Sequence, residues 1–381
     1  MKVYLDNAAT TPIDEEVLNE MIPWMREHYG NPSSTHGYGR KTRAGIETAR
    51  KTVARLVNAS PAEIFFTSGG TEADNMAIFQ CIADLGIQHA ISTKIEHHAV
   101  LHTLESLEKK GSIQLSFVNT DEKGNVDLNH LEQLLTQHPK SFVSLMHANN
   151  EIGTLLDIDA VGKICEKHEA IFHSDTVQTM GHFALDLQKT NVHFVTCAAH
   201  KFHGPKGVGF LYISHKVKIN PMIHGGAQER NMRGGTENVY GIIGLAKALE
   251  ICHREMEEHQ IHIRGIKDYM KEQILLKIPG TEINGEHGEK SLYTVLNLLL
   301  PPSKSGEMLL FNLDISGIAA SGGSACSSGS NVGSHVLRAL GKDMSRPAVR
   351  FSFSKYTTKN EIDYVIDKLS AFYQPATLSK P

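Results

Sequence analysis

This chain of 381 residues has few cysteines, no excess of positive charge and no long apolar run. Its five cysteines include no CxxC pair, and this odd, scattered count argues against a disulfide framework. A net charge of −4 makes nucleic acid and anionic membranes poor partners. Because no run reaches about 18 apolar residues and the N-terminus lacks a signal-peptide pattern, we expect a cytoplasmic protein without a membrane span.

The composition, 40% hydrophobic and 21% charged, is typical of a globular protein. Strand and helix patterns alternate up to about residue 250, which favours an α/β fold with a mainly parallel sheet. One continuous helical pattern then covers residues 239–278, and a smaller α/β unit follows. We therefore predict a large domain over residues 15–255 and a small domain formed by 1–14 and 256–381.

A lysine at a predicted strand end is the first candidate functional residue. The apolar run at 192–199 predicts a buried strand, and the following segment, HKFHGPKGVG at residues 200–209, turns the chain away just after Lys201. Apolar surroundings favour the neutral amine of a lysine, which can then act as a nucleophile. The alternative is an ordinary surface lysine after an edge strand.

An acid stands at the end of the preceding predicted strand. The segment HSDTVQ at residues 173–178 follows a short apolar run and contains Asp175. An aldehyde cofactor with a pyridine ring needs a lysine for its carbonyl and a carboxylate for its ring nitrogen. The pair Lys201 and Asp175 resembles that of the pyridoxal phosphate enzymes of the aspartate aminotransferase fold, with a seven-stranded sheet. The pattern S/A-H-K-x-x-G-P-K-G-x-G resembles the aminotransferase class V family and, within it, the cysteine desulfurases of the NifS and IscS type.

A small-residue turn, TSGGTE at residues 67–72, joins a predicted strand at 63–66 to a predicted helix at 73–85. Backbone N–H groups and the positive end of the helix dipole make such a turn suitable for an anion, although a plain βα turn is the alternative. With Lys201 and Asp175 near, we predict that Gly70 and Thr71 bind the cofactor phosphate. The turn matches neither a Walker loop nor GxGxxG, so nucleotide binding has little support.

Histidines cluster in EHHAVLH at residues 96–102. His98 and His102 have the i, i+4 spacing of metal ligands on a helix. The HExxH order is absent and no carboxylate at helical spacing completes the set, so we predict no metal. His97 instead matches the family motif E-H-x-A-V, and the resemblance implies that it stacks on the cofactor ring and shuttles protons.

The resemblance runs nearly end to end, with the motifs in the family's order, including YLDNAATT at residues 4–11 and NNEIG at 149–153. It implies pyridoxal 5'-phosphate as cofactor and L-cysteine as substrate. It also implies a homodimer, because a threonine in an R-x-G-T loop touches the partner's cofactor phosphate. The further positions that it assigns are Asn150 and Gln178 for the ring oxygen, Asn150 also for the substrate, His200 for the phosphate, Arg350 for the substrate carboxylate and Thr236 for the dimer loop.

One cysteine differs from the other four. Cys81, Cys165, Cys197 and Cys252 lie in apolar patterns and are expected in the core, whereas Cys326 lies in SGGSACSSGS at residues 321–330. The resemblance implies that the Cys326 thiolate attacks the substrate sulfur, leaving L-alanine and an enzyme persulfide. An acceptor protein of iron–sulfur cluster assembly or tRNA thiolation would then receive the sulfur.

Two departures from the family pattern concern the phosphate and the acceptor. Ala198 replaces a common serine, which removes one phosphate contact, and residues 374–381 lack the familiar scaffold-docking ending. Two other functions stay open at this stage. One is another pyridoxal phosphate reaction of the same fold, by a selenocysteine lyase or an aminotransferase. The other is a non-catalytic scaffold.

Overall fold

The computed structural model describes residues 1–303, 308–322 and 333–373. Cys326 and the 374–381 tail therefore lie outside the described residues. Within the described ranges, no helix combines the length and apolarity that crossing a lipid bilayer requires.

Strands and helices alternate through most of the chain. The strands are β1 (Val3–Tyr4), β2 (Ile64–Thr67), β3 (His89–Ser92), β4 (Gln114–Phe117), β5 (Phe142–Ser144), β6 (Ile171–Asp175), β7 (Phe194–Ala198), β8 (Gly209–Ile213), β9 (Glu282–Asn284), β10 (Val295–Leu299), β11 (Ile318–Ala319) and β12 (Ala348–Ser352). The helices are α1 (Glu15–Arg26), α2 (Gly37–Leu56), α3 (Gly70–Leu85), α4 (His98–Lys109), α5 (Leu128–Gln137), α6 (Ile158–Lys167), α7 (Val239–Arg254), α8 (Met256–Lys277), α9 (Leu309–Ile315), α10 (His335–Ala339) and α11 (Lys359–Ala371).

The large sheet has seven strands in the order β2-β8-β7-β6-β5-β3-β4. Only β8 runs antiparallel to its neighbours, and the other pairings are parallel. This confirms the predicted α/β fold with a mainly parallel sheet. Since β2 and β7 both run antiparallel to β8, they share a direction, and the carboxyl ends of β2, β6 and β7 meet at one edge. Functional groups predicted at those three ends are thereby brought together.

Apolar side chains cover both faces of this sheet, which explains why its central strands read as continuous hydrophobic runs. On one face, Val195 and Phe172 share a core with residues of α1, α2 and α7. On the other face, Phe194 and Leu211 share a core with residues of α3 and α4. Helices on both faces leave the strand ends as the open edge at which a ligand can bind.

A smaller unit is built on the antiparallel sheet β12-β10-β9 and the parallel pair β1-β11. Its separate core includes Val3, Leu298 and Val349, together with apolar residues of α8 and α11. The N-terminal segment joins it, because the Ser352 N–H donates to Leu5 O at 2.7 Å. The division into 15–255 and 1–14 with 256–381 stays a prediction.

The helical pattern over residues 239–278 is confirmed, but the structure divides it into two helices. The helix breaks at Glu255, so that α7 ends at Arg254 and α8 begins at Met256. The first packs on α1 and α2 and the second on α11 and β10. No glycine or proline lies at the break. The helix divides there because its two halves pack on different cores.

Smaller differences concern boundaries and one omitted element. Helix α3 begins at Gly70, three residues before the predicted start, so Gly70 and Thr71 belong to its first turn. Helix α6 was not predicted although both of its ends carry ordinary signals, with Asp157 capping its first turn at Ala160 N. The sequence also predicts a helix over residues 306–314. It corresponds to α9 (Leu309–Ile315), and residues 304–307 lie outside the described part.

Candidate active site

A cavity of about 240 Å³ lies where the sheet edge meets β12 and the N-terminal segment. Most of the predicted site positions line it, namely Gly70, Thr71, His97, Asn150, Asp175, Gln178, His200, Lys201 and Arg350. A larger groove of about 360 Å³ between α1, α2 and α7 is lined by apolar and surface charged residues such as Trp24 and Lys41, without such convergence. The convergence of polar groups selects the smaller cavity as the candidate site.

Lys201 follows the end of β7 by one short 3₁₀ turn, Ala199–Lys201. Its half-buried ammonium donates from Nζ to Ala8 O at 2.6 Å and to Ala9 O at 2.8 Å. The N-terminal segment is fixed to the same turn, because the Thr11 N–H donates to His200 O at 2.9 Å. Lys201 therefore has a defined position in the cavity, whereas Lys206 is exposed and does not line it.

Asp175 is the last residue of β6 and is 6% exposed. Its Oδ1 accepts a hydrogen bond from the Val177 N–H at 2.8 Å. Burial raises the pKa of this carboxyl to about 7, the charge of Asp74 adds to the rise, and Lys201 opposes it. A cation bound in the cavity would favour the ionised carboxylate, as the predicted pairing with a ring nitrogen requires.

Asp74 is a cavity residue that the sequence analysis missed. It lies on α3, is 1% exposed, and has an Oδ1 without a hydrogen-bond partner in the described structure. His173 Nε2 is 3.4 Å from this oxygen but not in hydrogen-bond geometry. Burial raises the Asp74 pKa to about 7. The available signal was an acid one helical turn after Thr71, on the helix that follows the predicted phosphate turn.

The amino end of α3 provides another part of the cavity wall. Gly69 caps it with a φ of +148°, which favours glycine, and makes no side-chain hydrogen bond to the first turn. A Cβ added at Gly70 would lie 2.9 Å from Val177 Cγ2, so a side chain there would crowd the cavity wall. The first-turn N–H groups beside Thr71 can therefore receive an anion. Ala198 lines the same cavity without a hydroxyl group.

Two histidines of the cavity are held in their neutral form. Burial lowers the pKa of both His97 and His200 to about 4, and the charge of Lys201 lowers both further. His97 Nδ1 accepts from the Ala99 N–H at 3.2 Å, which places the proton of the neutral ring on Nε2. His200 Nδ1 contacts Thr10 Oγ1 at 3.2 Å.

The two histidines considered as possible metal ligands are His98 and His102. The rings of His98 and His102 stack with centroids 4.5 Å apart, and His98 also lies 4.4 Å from the His335 ring. In the part of the chain that the structure describes, these rings belong to no group of three acid, histidine or cysteine side chains with the spacing of metal ligands.

Arg350 projects from β12 and is 1% exposed. Its Nη1 donates to Asn150 O and its Nη2 to Asp6 Oδ1, both at 2.8 Å, while its Nε has no partner among the described residues. Gln178 Nε2 donates to Ala8 O at 3.1 Å. A buried guanidinium with an unsatisfied N–H can bind a carboxylate that enters the cavity.

Thr236 does not line this cavity. It is exposed and faces a separate pocket of about 160 Å³ with Ser68 and Gly207. The loop nevertheless lies beside the amino end of α3, because Arg233 Nε and Glu72 Oε1 are 3.0 Å apart. Its predicted contact with a partner subunit's cofactor stays a prediction.

The four cysteines expected in the core are buried and free: Cys81, Cys165, Cys197 and Cys252. Burial raises the thiol pKa of Cys165 and of Cys252 to about 12 and that of Cys197 well above its ordinary value. None of these four is suited to thiolate chemistry near neutral pH.

The donor set of the cavity fits pyridoxal 5'-phosphate. An uncapped helix start suits a phosphate, Asp175 with the unpaired Asp74 oxygen suits a cationic ring nitrogen, and the Lys201 amine suits an aldehyde. The unpaired Arg350 Nε is left for a substrate carboxylate. No other cofactor type was indicated by the motifs of the sequence.

Comparisons with known proteins agree with this geometry. Residues 3–365 match the family model of the class V aminotransferases. The chain is 41% identical over 384 residues to "Cysteine desulfurase IscS" of Dictyoglomus turgidum, covering 100% of this chain and 96% of that protein. It is 42% identical over 367 residues to "Putative cysteine desulfurase IscS 1" of Bacillus subtilis, covering 95% and 96%. A solved NifS-like protein, 39% identical, superposes with a TM-score of 0.90 over 98% of this chain and 99% of that chain. The resemblance seen in the motifs is thus confirmed, and the chain belongs to the aminotransferase class V family.

Proposed function

We propose that this protein is a pyridoxal phosphate-dependent cysteine desulfurase, which converts L-cysteine to L-alanine and a persulfide on Cys326. The observation that carries the proposal is the single cavity that gathers Lys201, Asp175 and Arg350 from three separate elements. The names of relatives that match nearly the whole chain support the same reaction.

Each of the cavity residues has its own role in the proposed reaction. When bound, pyridoxal phosphate supplies an electron sink for the bond cleavage at the substrate. Asp175 stabilises a positive charge at the ring nitrogen, and Arg350 orients the substrate by its carboxylate. Lys201 would hold the cofactor aldehyde and, as a free amine, would move the proton at the substrate Cα. His97 would stack on the ring, and Asn150 and Gln178 would hydrogen-bond its oxygen.

Cys326 takes the sulfur in this proposal. The segment that contains it is anchored beside the cavity on both sides: the Arg350 N–H donates to Ser321 O at 2.6 Å, and Ser334 Oγ donates to Glu151 Oε2 at 2.5 Å. Cys326 follows Ser321 by five positions in the chain, a span of at most about 18 Å. The thiolate of Cys326 forms the S–S bond as the C–S bond of cysteine breaks, and the bond electrons leave with the carbon that becomes the alanine methyl group.

The assembly and the destination of the sulfur belong to the same proposal. Thr236 would complete the phosphate site of a partner subunit, which makes the active form a homodimer. Glu72 and Arg233, which join this loop to α3, support a fixed loop at that position. Iron–sulfur cluster assembly or tRNA thiolation in the cytoplasm would receive the sulfur through an acceptor protein.

The direct test records the visible spectrum of the purified protein before and after L-cysteine, and then quantifies alanine and sulfide in the presence of a reductant. We expect a cofactor band that shifts with L-cysteine, and equal amounts of alanine and sulfide. Mass spectrometry before reduction should find one added sulfur on the peptide with Cys326. A colourless protein that pyridoxal phosphate does not colour would support the scaffold alternative and contradict the proposal.

Cys326→Ser separates the desulfurase reaction from other reactions of the same cofactor. The variant should bind the cofactor and show the spectral shift, because those steps use Lys201, Asp175 and Arg350, but it should release no sulfide. Cys165→Ser is the matched control, since Cys165 is buried on α6 and does not line the cavity, and it should keep its activity. Full alanine production by Cys326→Ser, or added sulfur on Cys197, would overturn the proposed mechanism.

A further inference from the structure

Two buried carboxyl groups, not one, lie at the end of the cavity assigned to the ring nitrogen. Asp74 on α3 and Asp175 at the end of β6 are 1% and 6% exposed, and both line the cavity. One carboxyl oxygen of each lies within 4.8 Å of the other and of a His97 ring nitrogen. Asp74 Oδ1 has no hydrogen-bond partner in the described structure. The resemblance to the family assigned a role to Asp175 alone.

The surroundings do not neutralise two negative charges. The ionisable groups that face the pair from the neighbouring elements are Glu96, His97, His173, Cys197, His200 and Lys201. Burial lowers the pKa values of the three histidines to about 4, so they are neutral near pH 7. Burial raises those of Glu96 and Cys197 well above their ordinary values, so these two are also uncharged. Lys201 is then the one cation among these six groups. Arg350, the other cation that lines the cavity, is already paired with the Asp6 carboxylate at 2.8 Å.

We propose that Asp74 is a second acid of the cofactor site, which shares one proton with Asp175 in the cofactor-free protein and supplies that proton when the ring nitrogen binds. This inference rests on the proposed cofactor. Two close carboxyls in a dry site do not ionise together, and their titration belongs to the pair. On binding, the proton moves from a carboxyl oxygen to the ring nitrogen. The pair then carries two negative charges opposite the positive ring nitrogen. A ring nitrogen that arrives already protonated displaces the shared proton into the solvent, so in both cases the wild type takes up about one proton fewer than a protein without the pair.

The proton balance of cofactor binding tests the proposal without using activity. Pyridoxal phosphate is titrated into cofactor-free protein near pH 7 by calorimetry, in two buffers that differ in ionisation enthalpy. In Asp74→Asn, Asp175 loses its charged neighbour. Its pKa falls, although burial still raises it, and Asp175 is ionised to a greater extent before binding. The variant should therefore take up as much as about one proton more per cofactor than the wild type. The protonation of the free cofactor cancels, because both proteins meet the same ligand.

Glu96→Gln is the matched control. Glu96 is 1% exposed and its Oε1 accepts from the Met146 N–H at 2.7 Å, but it does not line the cavity. Its replacement should leave the proton uptake equal to that of the wild type. Equal uptake by Asp74→Asn and the wild type would overturn the proposal, and so would a change of the same size in Glu96→Gln.

A second measurement needs no cofactor. A buried carboxyl with a raised pKa binds protons in the folded state that the unfolded chain has released, so its contribution to stability is lost as the pH rises from about 4 through about 7. The thermal midpoint of the cofactor-free wild type should accordingly fall, relative to that of Asp74→Asn, across this window. Parallel midpoints would contradict the shared proton. Absence of cofactor binding by the wild type would instead contradict the proposed function, and this stability comparison would still decide the inference.

Discussion

The two ends of the active-site cavity differ in how completely the protein itself determines them. The floor, formed by Asp74, Asp175 and Arg350, is at most 6% exposed. The rim, formed by Gly70 and Thr71, is more open. Thr71 is exposed, and so is Thr236 in the neighbouring loop outside the cavity.

The difference indicates a separation of tasks. Floor residues are placed by hydrogen bonds within the chain, such as those of Arg350 to Asp6 and to Asn150 O, so their charges have a fixed geometry and little water to screen them. At the rim, the backbone N–H groups of the first turn of α3 are available to a ligand. Thr236 faces a separate pocket and not this chain's own cavity. We infer that the floor sets the chemistry, whereas the rim sets how firmly the cofactor and a second subunit are held.

The largest effect is expected for Lys201→Ala, which removes the amine of the cavity and should abolish both covalent cofactor attachment and turnover. Borohydride reduction followed by peptide mapping measures the attachment. Lys206→Ala is the control, because Lys206 is exposed and does not line the cavity. This variant should retain the attached cofactor. Attachment to a peptide that contains Lys206 in the wild type would reverse the assignment.

Asp175→Asn should come next, because a neutral amide cannot stabilise a charged ring nitrogen. Removing such an electrostatic partner from a dry site costs roughly 10²- to 10³-fold in kcat. Glu72→Gln removes a carboxylate from the rim, where it pairs with Arg233, and should change kcat far less. Steady-state kinetics of both variants with L-cysteine measure the two losses in kcat. Similar losses would contradict the proposed difference between floor and rim.

Arg350→Lys should weaken substrate binding while leaving the cofactor in place. One ammonium cannot replace the contacts to Asn150 and Asp6 and also bind a carboxylate, so the loss of a charged hydrogen bond of about 1.5–3 kcal/mol is expected. This corresponds to about a 10- to 150-fold lower kcat/KM. Arg346→Lys, in the loop just before β12 and outside the cavity, provides the same substitution as a control. An unchanged KM for Arg350→Lys would contradict its substrate role.

The smallest effect is expected for Ala198→Ser at the rim. A hydroxyl group added at this position would offer the phosphate one more donor, and we expect cofactor affinity to rise by about tenfold or less, as one hydrogen bond provides. Equilibrium dialysis of the cofactor measures it. Ala199→Ser adds the same group outside the cavity and should not tighten binding. Unchanged affinity of Ala198→Ser would show that another group already satisfies the phosphate.

Local patterns predicted much of the molecule because they report local requirements. The apolar runs that became β6 and β7, and the glycine turn before α3, are encoded within a few neighbouring residues. The family motifs added the positions of Lys201, Asp175 and His97. Local patterns could not predict the break at Glu255, since no residue there forbids a helix and the two halves simply pack on different cores.

By itself, the sequence determined the family, the seven-stranded sheet and the order in which the site residues follow one another along the chain. Only the tertiary structure placed Arg350 against Asp6 and brought Asp74 beside Asp175. The physical reason is that each of these contacts joins elements far apart in the chain. Their packing, and the exclusion of water that shifts the carboxyl pKa values, exist only when the sheet edge, β12 and the N-terminal segment have closed around one cavity.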